Sequence, residues 1–123
     1  MTHGKKVWFI GDGFWDSHSN GLYPSHESVC VLNTSDTDAT ITMTLYFEDR
    51  EKMTGFVAKC GAERTHHIRM DKIRSAEGKS IQHDVPYAVL VESNTPIVVQ
   101  YSRLDTSCGG MALMTTIGFA VEE

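Results

Sequence analysis

Apolar and polar residues alternate with a period of two along most of this 123-residue chain. The clearest example is the segment 39–49, where Ile41, Met43, Leu45 and Phe47 are separated by threonine, tyrosine and glutamate. Alternation of this kind, rich in β-branched and aromatic side chains, predicts a strand with one face on a core. The same reasoning predicts eight strands in all, at 6–10, 28–32, 39–49, 55–60, 65–70, 87–92, 96–104 and 111–121.

Turn-forming residues separate these strands at regular intervals. The segment 33–38 reads Asn-Thr-Ser-Asp-Thr-Asp, and its side chains can bond their own backbone. A second turn is predicted at 93–96, because Pro96 has no ladder donor. Short strands with frequent turns predict one all-β domain over residues 1–123, an antiparallel β-sandwich of two packed sheets. Segment 71–79 has too few apolar positions for more than about one helical turn.

Charge and composition narrow the classes of function. Sixteen acidic against eleven basic residues give a formal charge of −5, which speaks against a broad nucleic-acid surface. A local basic stretch at 64–74 alternates with apolar residues, as expected of a charged edge strand. We find no apolar stretch of about 20 residues and no secretory leader, so we expect a cytoplasmic protein with no membrane insertion.

Motifs for catalysis or metal binding are missing from the sequence. Cys30, Cys60 and Cys108 form no C-x-x-C pair, so neither a disulfide framework nor a zinc site is expected. His26, His67 and His83 are spaced unlike metal ligands. We find no G-x-S-x-G or H-E-x-x-H signature, and no cofactor is predicted.

One arginine is predicted to lie on a buried face. Arg103 shares the alternation of Ile97, Val99 and Tyr101, so it must pair with an acid or meet a ligand. Glu27, Asp84 and Asp105 are the acids considered. Trp8 lies within an apolar strand, where core packing is the simpler interpretation, whereas Trp15 lies in a polar loop where its ring would suit the face of a sugar.

Several stretches of the sequence resemble those of one known family. They are Ser-His-Glu-Ser-Val-Cys-Val-Leu-Asn at 25–33, Arg-Thr-x-His-x-Arg at 64–69, His-Asp at 83–84, and Ser-Asn-x-Pro-Ile-Val-Val-Gln-x-x-Arg-Leu-Asp at 93–105. Together they resemble the sensory rhodopsin transducer family, from about residue 7 to residue 119. The resemblance implies a small β-sandwich protein that forms a homotetramer and, in some members, couples a membrane-embedded light sensor to cytosolic signalling. It also implies binding of small molecules such as sugars, contact with DNA in some members, and no enzymatic activity.

These considerations predict a non-catalytic signalling adaptor that binds a small polar ligand and relays its presence to a partner. The predicted ligand-binding residues are polar or aromatic and lie on or beside strands: Trp8, His26, Glu27, Arg64, His67, His83, Asp84, Gln100 and Arg103. The arginines would bind carboxylate, phosphate or vicinal hydroxyl groups, and the acids would accept hydrogen bonds from ligand hydroxyls or hold the arginines.

Two other functions remain open on the sequence. One is a carbohydrate-active enzyme that uses Glu27 and Asp84 as a carboxylate pair, which requires them within about 5 to 10 Å of each other. The other is a structural module that contacts DNA or protein through the basic stretch at 64–74.

Overall fold

A computed structural model describes residues 3–121 as a series of antiparallel strands. The strands are β1 (Lys5–Gly13), β2 (His26–Asn33), β3 (Ala39–Phe47), β4 (Met53–Cys60), β5 (Arg64–Arg69), β6 (Tyr87–Asp105), β7 (Ala112–Ile117) and β8 (Phe119–Val121). Within this range there is no helix that could cross a membrane. The prediction of an all-β antiparallel fold is confirmed.

Two sheets share one long strand. The first half of β6 lies in sheet I, whose order is β4-β3-β6-β1-β8. Its second half lies in sheet II, between β2 and β7, and β5 pairs with the other edge of β2. The inner faces of the two sheets form the core of the sandwich.

The predicted turn at 93–96 is wrong, because β6 runs unbroken for 19 residues. Odd-numbered side chains point inward on both sides of this segment, from Tyr87 to Tyr101, so the alternation continues through it. Ser93 is the last residue of β6 that pairs with β3, and Val98 is the first that pairs with β2. Pro96 therefore lies between the two paired regions of β6. A missing backbone donor is tolerated where the strand passes from one sheet to the other.

The single strand predicted at 111–121 is also wrong. It is two strands, because Gly118 separates β7 in sheet II from β8 in sheet I. The Gly118 N–H donates to the carbonyl of Val99 at 2.9 Å, which anchors the crossing point against β6. A Cβ atom at Gly118 would lie 3.2 Å from both Trp8 Cε3 and that same carbonyl oxygen. A side chain at this position would therefore press on both groups.

The core combines apolar side chains from both sheets. Sheet I contributes inward residues from β1, β3, β4 and β6, and sheet II contributes them from β2, β5 and β6: Trp8, Ile10, Ile41, Met43, Leu45, Phe56, Val89, Val91, Val29, Val31, Ile68, Val99 and Tyr101. The turn predicted at 33–38 is confirmed. Buried Asn33 holds it by donating through Nδ2 to the carbonyls of Thr37 and Cys60, at 2.8 and 3.2 Å.

Candidate functional site

A carboxylate lies buried in sheet II, near the start of β2 and opposite the last residues of β6. Glu27 on β2 is 1% exposed. Its Oε2 accepts the backbone N–H of Phe14 at 2.6 Å and the hydroxyl of Tyr101, and its Oε1 accepts the hydroxyl of Tyr87 at 2.5 Å. Arg103 completes the set, with Nε 3.8 Å from Oε2. We call these four side chains, Glu27, Tyr87, Tyr101 and Arg103, the Glu27 cluster.

Burial dominates the electrostatics of this cluster. It raises the pKa of Glu27 above its ordinary value, although the Tyr87 hydroxyl, the Phe14 N–H and the Arg103 charge each lower it. Burial also raises the pKa of Tyr87 well above its usual range, and the neighbouring Glu27 charge adds to that effect. Both groups therefore favour their neutral forms more than exposed groups would.

Arg103 connects the Glu27 cluster to the molecular surface. Its Nε donates to the Tyr101 hydroxyl at 3.0 Å, and its guanidinium lies over the Tyr101 ring. Its Nη2 donates to the Asp12 carbonyl at 3.1 Å and lies 3.5 Å from the Asp12 carboxylate. The guanidinium thus lies between a buried acid and an exposed one, as the sequence analysis required of an arginine on this face.

A surface cleft lies next to the Glu27 cluster. It has a volume of about 460 Å³ and is lined by residues of β1, β3 and β6: Gly11, Asp12, Tyr46, Phe47, Glu48, Pro86, Tyr87 and Ala88. We call it the Tyr46 cleft, because Tyr46, which is 41% exposed, lines it. Tyr87 and Asp12 belong both to its wall and to the contacts of the Glu27 cluster.

A second concavity adjoins the Tyr46 cleft and shares Glu48 and Pro86 with it. It has a volume of about 370 Å³, and its wall includes Asp49, Arg50 and Asp84. An exposed aromatic ring beside carboxylates can stack on the C–H face of a sugar while the acids accept from its hydroxyl groups. The two concavities together offer that chemistry.

Asp84 is held in place by the loop after β1. Its carboxylate accepts the Ser17 N–H at 2.9 Å, and its own N–H donates to the Trp15 carbonyl at 2.8 Å. Hydrogen bonds from Ser17 hold the pKa of Asp84 below its ordinary value. The neighbouring His83 ring stacks on Trp15, with centroids 3.6 Å apart. With φ of 62°, Asp84 also adopts a conformation that only Asn, Asp and Gly accept readily.

The structure places the nine predicted site residues in several different regions. Glu27 and Arg103 meet in the Glu27 cluster, and Asp84 lies on the adjoining concavity with His83 next to it in sequence. Trp8 is buried in the core and donates through Nε1 to the carbonyls of Lys5 and Ile97. The other four lie on strands of sheet II and line neither concavity: His26, Arg64, His67 and Gln100.

Several residues of the site were missed by the sequence analysis. Tyr87 is the main one, and Tyr101 was named only for the alternation that it shares with Arg103. A signal was present, because both tyrosines fall on the buried odd positions of β6, and a buried phenol needs a hydrogen-bond partner. Asp12, near the end of β1, and the Phe14 N–H, just beyond that strand, carry no comparable signal.

The basic stretch at 64–74 is partly neutralised by its own contacts. Arg69 forms two hydrogen bonds of 2.8 Å with Asp71. Arg64 donates to the carbonyls of Ala62 and Glu63. His67 and Arg69 line a shallow groove between β4 and β5. Across residues 3–121, no group of three or more His, Cys, Asp and Glu side chains is arranged to hold a metal ion.

Comparison with known proteins identifies the family. The family described as Anabaena sensory rhodopsin transducer matches residues 3–120. The chain belongs to this family. A crystal structure of Thermotoga maritima 1070 is 37% identical, with a TM-score of 0.87, and the match covers 97% of each chain.

A second solved structure, the Anabaena sensory rhodopsin transducer itself, is also 37% identical, with a TM-score of 0.76. That match covers 85% of this chain and 92% of the other. No curated protein matches this chain. The resemblance inferred from the stretches at 25–33, 64–69, 83–84 and 93–105 is therefore confirmed.

Proposed function

We propose that this transducer-family protein is a non-catalytic signalling adaptor that binds a small polar ligand, a sugar or a related metabolite, in the Tyr46 cleft. A signalling role is supported by membership of the family and by the likeness to a solved rhodopsin transducer. The observation that carries ligand binding is the double role of Tyr87 and Asp12, which line the cleft and contact the Glu27 cluster.

The cleft favours a neutral polyhydroxylated ligand over an anionic one. Asp12 and Glu48 line it, and Asp84 lies in the concavity that adjoins it. Carboxylates repel a phosphate or carboxylate ligand but accept hydrogen bonds from hydroxyl groups. The exposed Tyr46 ring supplies an apolar surface for the C–H face of a sugar.

A route from ligand to partner runs through Asp12 and Arg103. A ligand hydroxyl that bonds to Asp12 would compete with the guanidinium of Arg103 for the same carboxylate. Arg103 is in turn bonded to Tyr101 in the centre of sheet II. Binding changes signalling to the extent that the ligand prefers one arrangement of these contacts.

The proposed protein partners are those that family membership implies. We propose a homo-oligomer, a tetramer as the resemblance implies, that works in the cytoplasm with a membrane-embedded sensor or another signalling protein. His26, Arg64, His67 and Gln100 lie outside the cleft on strands of sheet II, so we assign them to such protein contacts rather than to the ligand.

Thermal shift measurements with a ligand panel test the proposal. The panel contains neutral sugars, amino sugars and sugar acids at millimolar concentration. We expect at least one neutral sugar to raise the melting temperature of the wild type, and we expect Tyr46→Ala to remove that shift. Tyr23→Ala is the matched control, because Tyr23 is also exposed but does not line the cleft. Isothermal titration that detects no binding of any panel member would contradict the proposal.

The carbohydrate-enzyme alternative has less structural support. Glu27 would have to face the substrate, but its carboxylate is enclosed by two tyrosine hydroxyls and the Phe14 N–H. A carboxylate whose oxygens are occupied by internal hydrogen bonds stabilises the fold and is not positioned to contact a glycosidic bond.

A further inference from the structure

A groove runs along the side of the sandwich where sheet I ends in β4 and sheet II ends in β5. Among the described strands, β4 pairs only with β3 and β5 only with β2. The groove between them has a volume of about 360 Å³, and we call it the β4–β5 groove. Four apolar and four cationic or imidazole side chains line it: Val57, Ala58, Ile68, Ile73, His66, His67, Arg69 and Lys72.

The two ends of the β4–β5 groove are defined by hydrogen bonds. At one end His66 on β5 donates through Nδ1 to the Lys59 carbonyl on β4 at 2.7 Å, which joins the two strands. At the other end the N–H groups of Lys72 and Ile73 donate to the Arg69 carbonyl at 3.2 and 3.1 Å, and this turn holds Lys72 beside the groove. Between these ends β5 runs about 10 Å, at roughly 3.3 Å per residue, which suits about four residues of an extended peptide.

The backbone of β5 turns hydrogen-bonding groups toward the open edge. The Met70 N–H donates to the Glu27 carbonyl at 2.9 Å. Arg69 lies opposite Ser28, the residue after Glu27, so these two form a non-hydrogen-bonded pair of the ladder. Such pairs alternate with bonded ones, and His67, two residues earlier, therefore turns its N–H and C=O away from β2. An extended chain beside β5 would pair with both groups.

The side chains of the β4–β5 groove favour an acidic occupant, although the whole chain has a formal charge of −5. Among the described residues, those that line the groove include no acid. Arg69 is paired, because its Nε and Nη2 donate to Asp71. Within residues 3–121, Lys72 has no carboxylate within ion-pair distance. Cationic side chains on an edge strand oppose pairing with a like-charged strand and attract one that carries acids.

We propose that the β4–β5 groove binds an extended acidic peptide of a protein partner, which adds to sheet II as a strand beside β5. This inference rests on the signalling partner of the proposed function, which assigns His67 to protein contacts, and it states the kind of segment that binds there. Strand addition takes its affinity from backbone hydrogen bonds and its specificity from alternate side chains.

The alternation of β5 fixes the side-chain pattern of the peptide. Ile68 is 3% exposed and lies opposite buried Val29, so His67 and Arg69 lie on the outer face of sheet II. Residues directly opposite each other in a ladder share a face. The peptide residues opposite His67 and Arg69 are therefore acidic, and the residue between them is apolar, because it faces the same side as Ile68. The expected pattern is acidic, apolar, acidic.

Three labelled hexapeptides test the inference by fluorescence anisotropy. One alternates valine and glutamate, one alternates valine and lysine, and one is hexaglutamate. We expect the valine–glutamate peptide to bind with a Kd below about 1 mM and the other two to bind at least about tenfold more weakly. Added salt should weaken the binding, because exposed charges are screened.

A charge reversal in the β4–β5 groove tests where the peptide binds. Lys72→Glu should weaken binding of the valine–glutamate peptide by about fivefold or more, because it replaces an attraction with a repulsion. Arg74→Glu is the matched control, since Arg74 is also exposed and carries the same charge but does not line the groove. Circular dichroism checks that both variants are folded. Equal weakening by the two variants would show attraction to the general charge of this region and would overturn the assignment.

Amide hydrogen exchange tests strand addition in the wild type and needs no variant. The His67 amide should exchange more slowly when the valine–glutamate peptide is bound, because it gains a hydrogen-bond acceptor. The Ile68 amide is the internal control, because the same alternation bonds it to Val29 of β2. Unchanged exchange at His67 under saturating peptide would overturn strand addition.

The remaining outcomes separate the inference from the proposed function. If the valine–glutamate peptide does not bind, or hexaglutamate binds equally well, the peptide site is overturned. A short DNA duplex is measured beside the peptides, and a duplex that alone binds and is weakened by Lys72→Glu would assign the groove to nucleic acid instead. The sugar panel for the Tyr46 cleft is read separately. A sugar shift without peptide binding overturns this inference alone, and peptide binding without sugar binding overturns the proposed ligand alone.

Discussion

Glu27 and Arg103 lie directly opposite each other in the β2–β6 ladder, but a tyrosine hydroxyl lies between their charges. The Nε of Arg103 donates to the Tyr101 hydroxyl at 3.0 Å, and that hydroxyl donates to Glu27. The direct distance from Arg103 Nε to the Glu27 carboxylate is longer, at 3.8 Å. The ion pair is therefore relayed through Tyr101, and its strength depends on three side chains rather than two.

Removal of Arg103 should cost stability in a pH-dependent way. Arg103→Met leaves the buried Glu27 carboxylate without its cation, and we expect a loss of about 3 kcal/mol in the free energy of unfolding at neutral pH. The pKa of Glu27 is already raised by burial, and loss of the guanidinium raises it further. Because this pKa is raised, neutral Glu27 contributes to the free energy of unfolding. That contribution is fully present below the pKa of the unfolded state and is lost as the pH rises through the pKa of the folded state.

The difference between wild type and Arg103→Met should therefore shrink as the pH falls and Glu27 becomes protonated. Urea denaturation at neutral and mildly acidic pH measures this difference. Arg50→Met is the control, because Arg50 is exposed and pairs with exposed Asp49. An equal loss of stability at both pH values would show that Arg103 acts through packing alone.

The relay through Tyr101 predicts that a single hydroxyl matters. Tyr101→Phe keeps the ring in the core but removes its hydroxyl group, which donates to Glu27 and accepts the Nε–H of Arg103. We expect a loss of about 2 kcal/mol, since it leaves buried polar groups unsatisfied. Tyr46→Phe, which removes an exposed hydroxyl, should change the free energy of unfolding by less than about 0.5 kcal/mol. Indistinguishable urea midpoints for the two variants would contradict the relay.

Much of the sandwich can be predicted from the sequence, because inward and outward residues alternate and alternation is a local property. Tyr87, Val89, Val91, Ile97, Val99 and Tyr101 show it along β6. The turn at 93–96 was mispredicted because a proline interrupts a strand only where its backbone N–H would have to donate to a neighbouring strand. Position 96 pairs with neither β3 nor β2, so no such donor is needed there. That fact depends on which strands pair, which a local pattern does not contain.

The candidate site could be predicted only where its residues follow that alternation. Arg103 falls on the inward positions of β6, so the sequence required a partner for it, and Glu27 was among the acids considered. The cleft itself could not be foreseen. Tyr46 and Asp12 come together because β1 and β3 flank β6 in sheet I, and this strand order is set by the whole fold.

Tyr87 should resist ionisation at alkaline pH. Its pKa is raised well above the ordinary value by burial and by the Glu27 charge. The chain has four tyrosines, and in an ultraviolet titration Tyr87→Phe should remove one phenol from the component that ionises above the ordinary tyrosine pKa. The contribution of neutral Tyr87 to the free energy of unfolding is fully present below the ordinary tyrosine pKa of about 10. It is lost as the pH rises through the pKa of Tyr87 in the folded state. A high-pH component of unchanged amplitude in Tyr87→Phe would contradict the assignment to Tyr87.

A side chain at Gly118 should lower stability, because the chain passes close to Trp8 and Val99 where it crosses from one sheet to the other. In Gly118→Ala the new Cβ would lie 3.2 Å from Trp8 Cε3 and from the Val99 carbonyl oxygen. Trp8 has little freedom to move away, since its Nε1 donates to two carbonyls, those of Lys5 and Ile97. We expect a loss of about 1 to 3 kcal/mol, typical of overpacking in a core.

Gly110→Ala is the matched control for Gly118→Ala. A Cβ atom at Gly110 meets nothing within 4 Å. Its substitution should leave stability unchanged or raise it slightly, because alanine reduces the conformational entropy of the unfolded chain. Thermal unfolding followed by tryptophan fluorescence reports both variants, and Trp8 responds directly to a shift at the crossing. Equal melting temperatures for Gly118→Ala and Gly110→Ala would mean that the crossing between β7 and β8 does not depend on the close approach of Gly118 to Trp8.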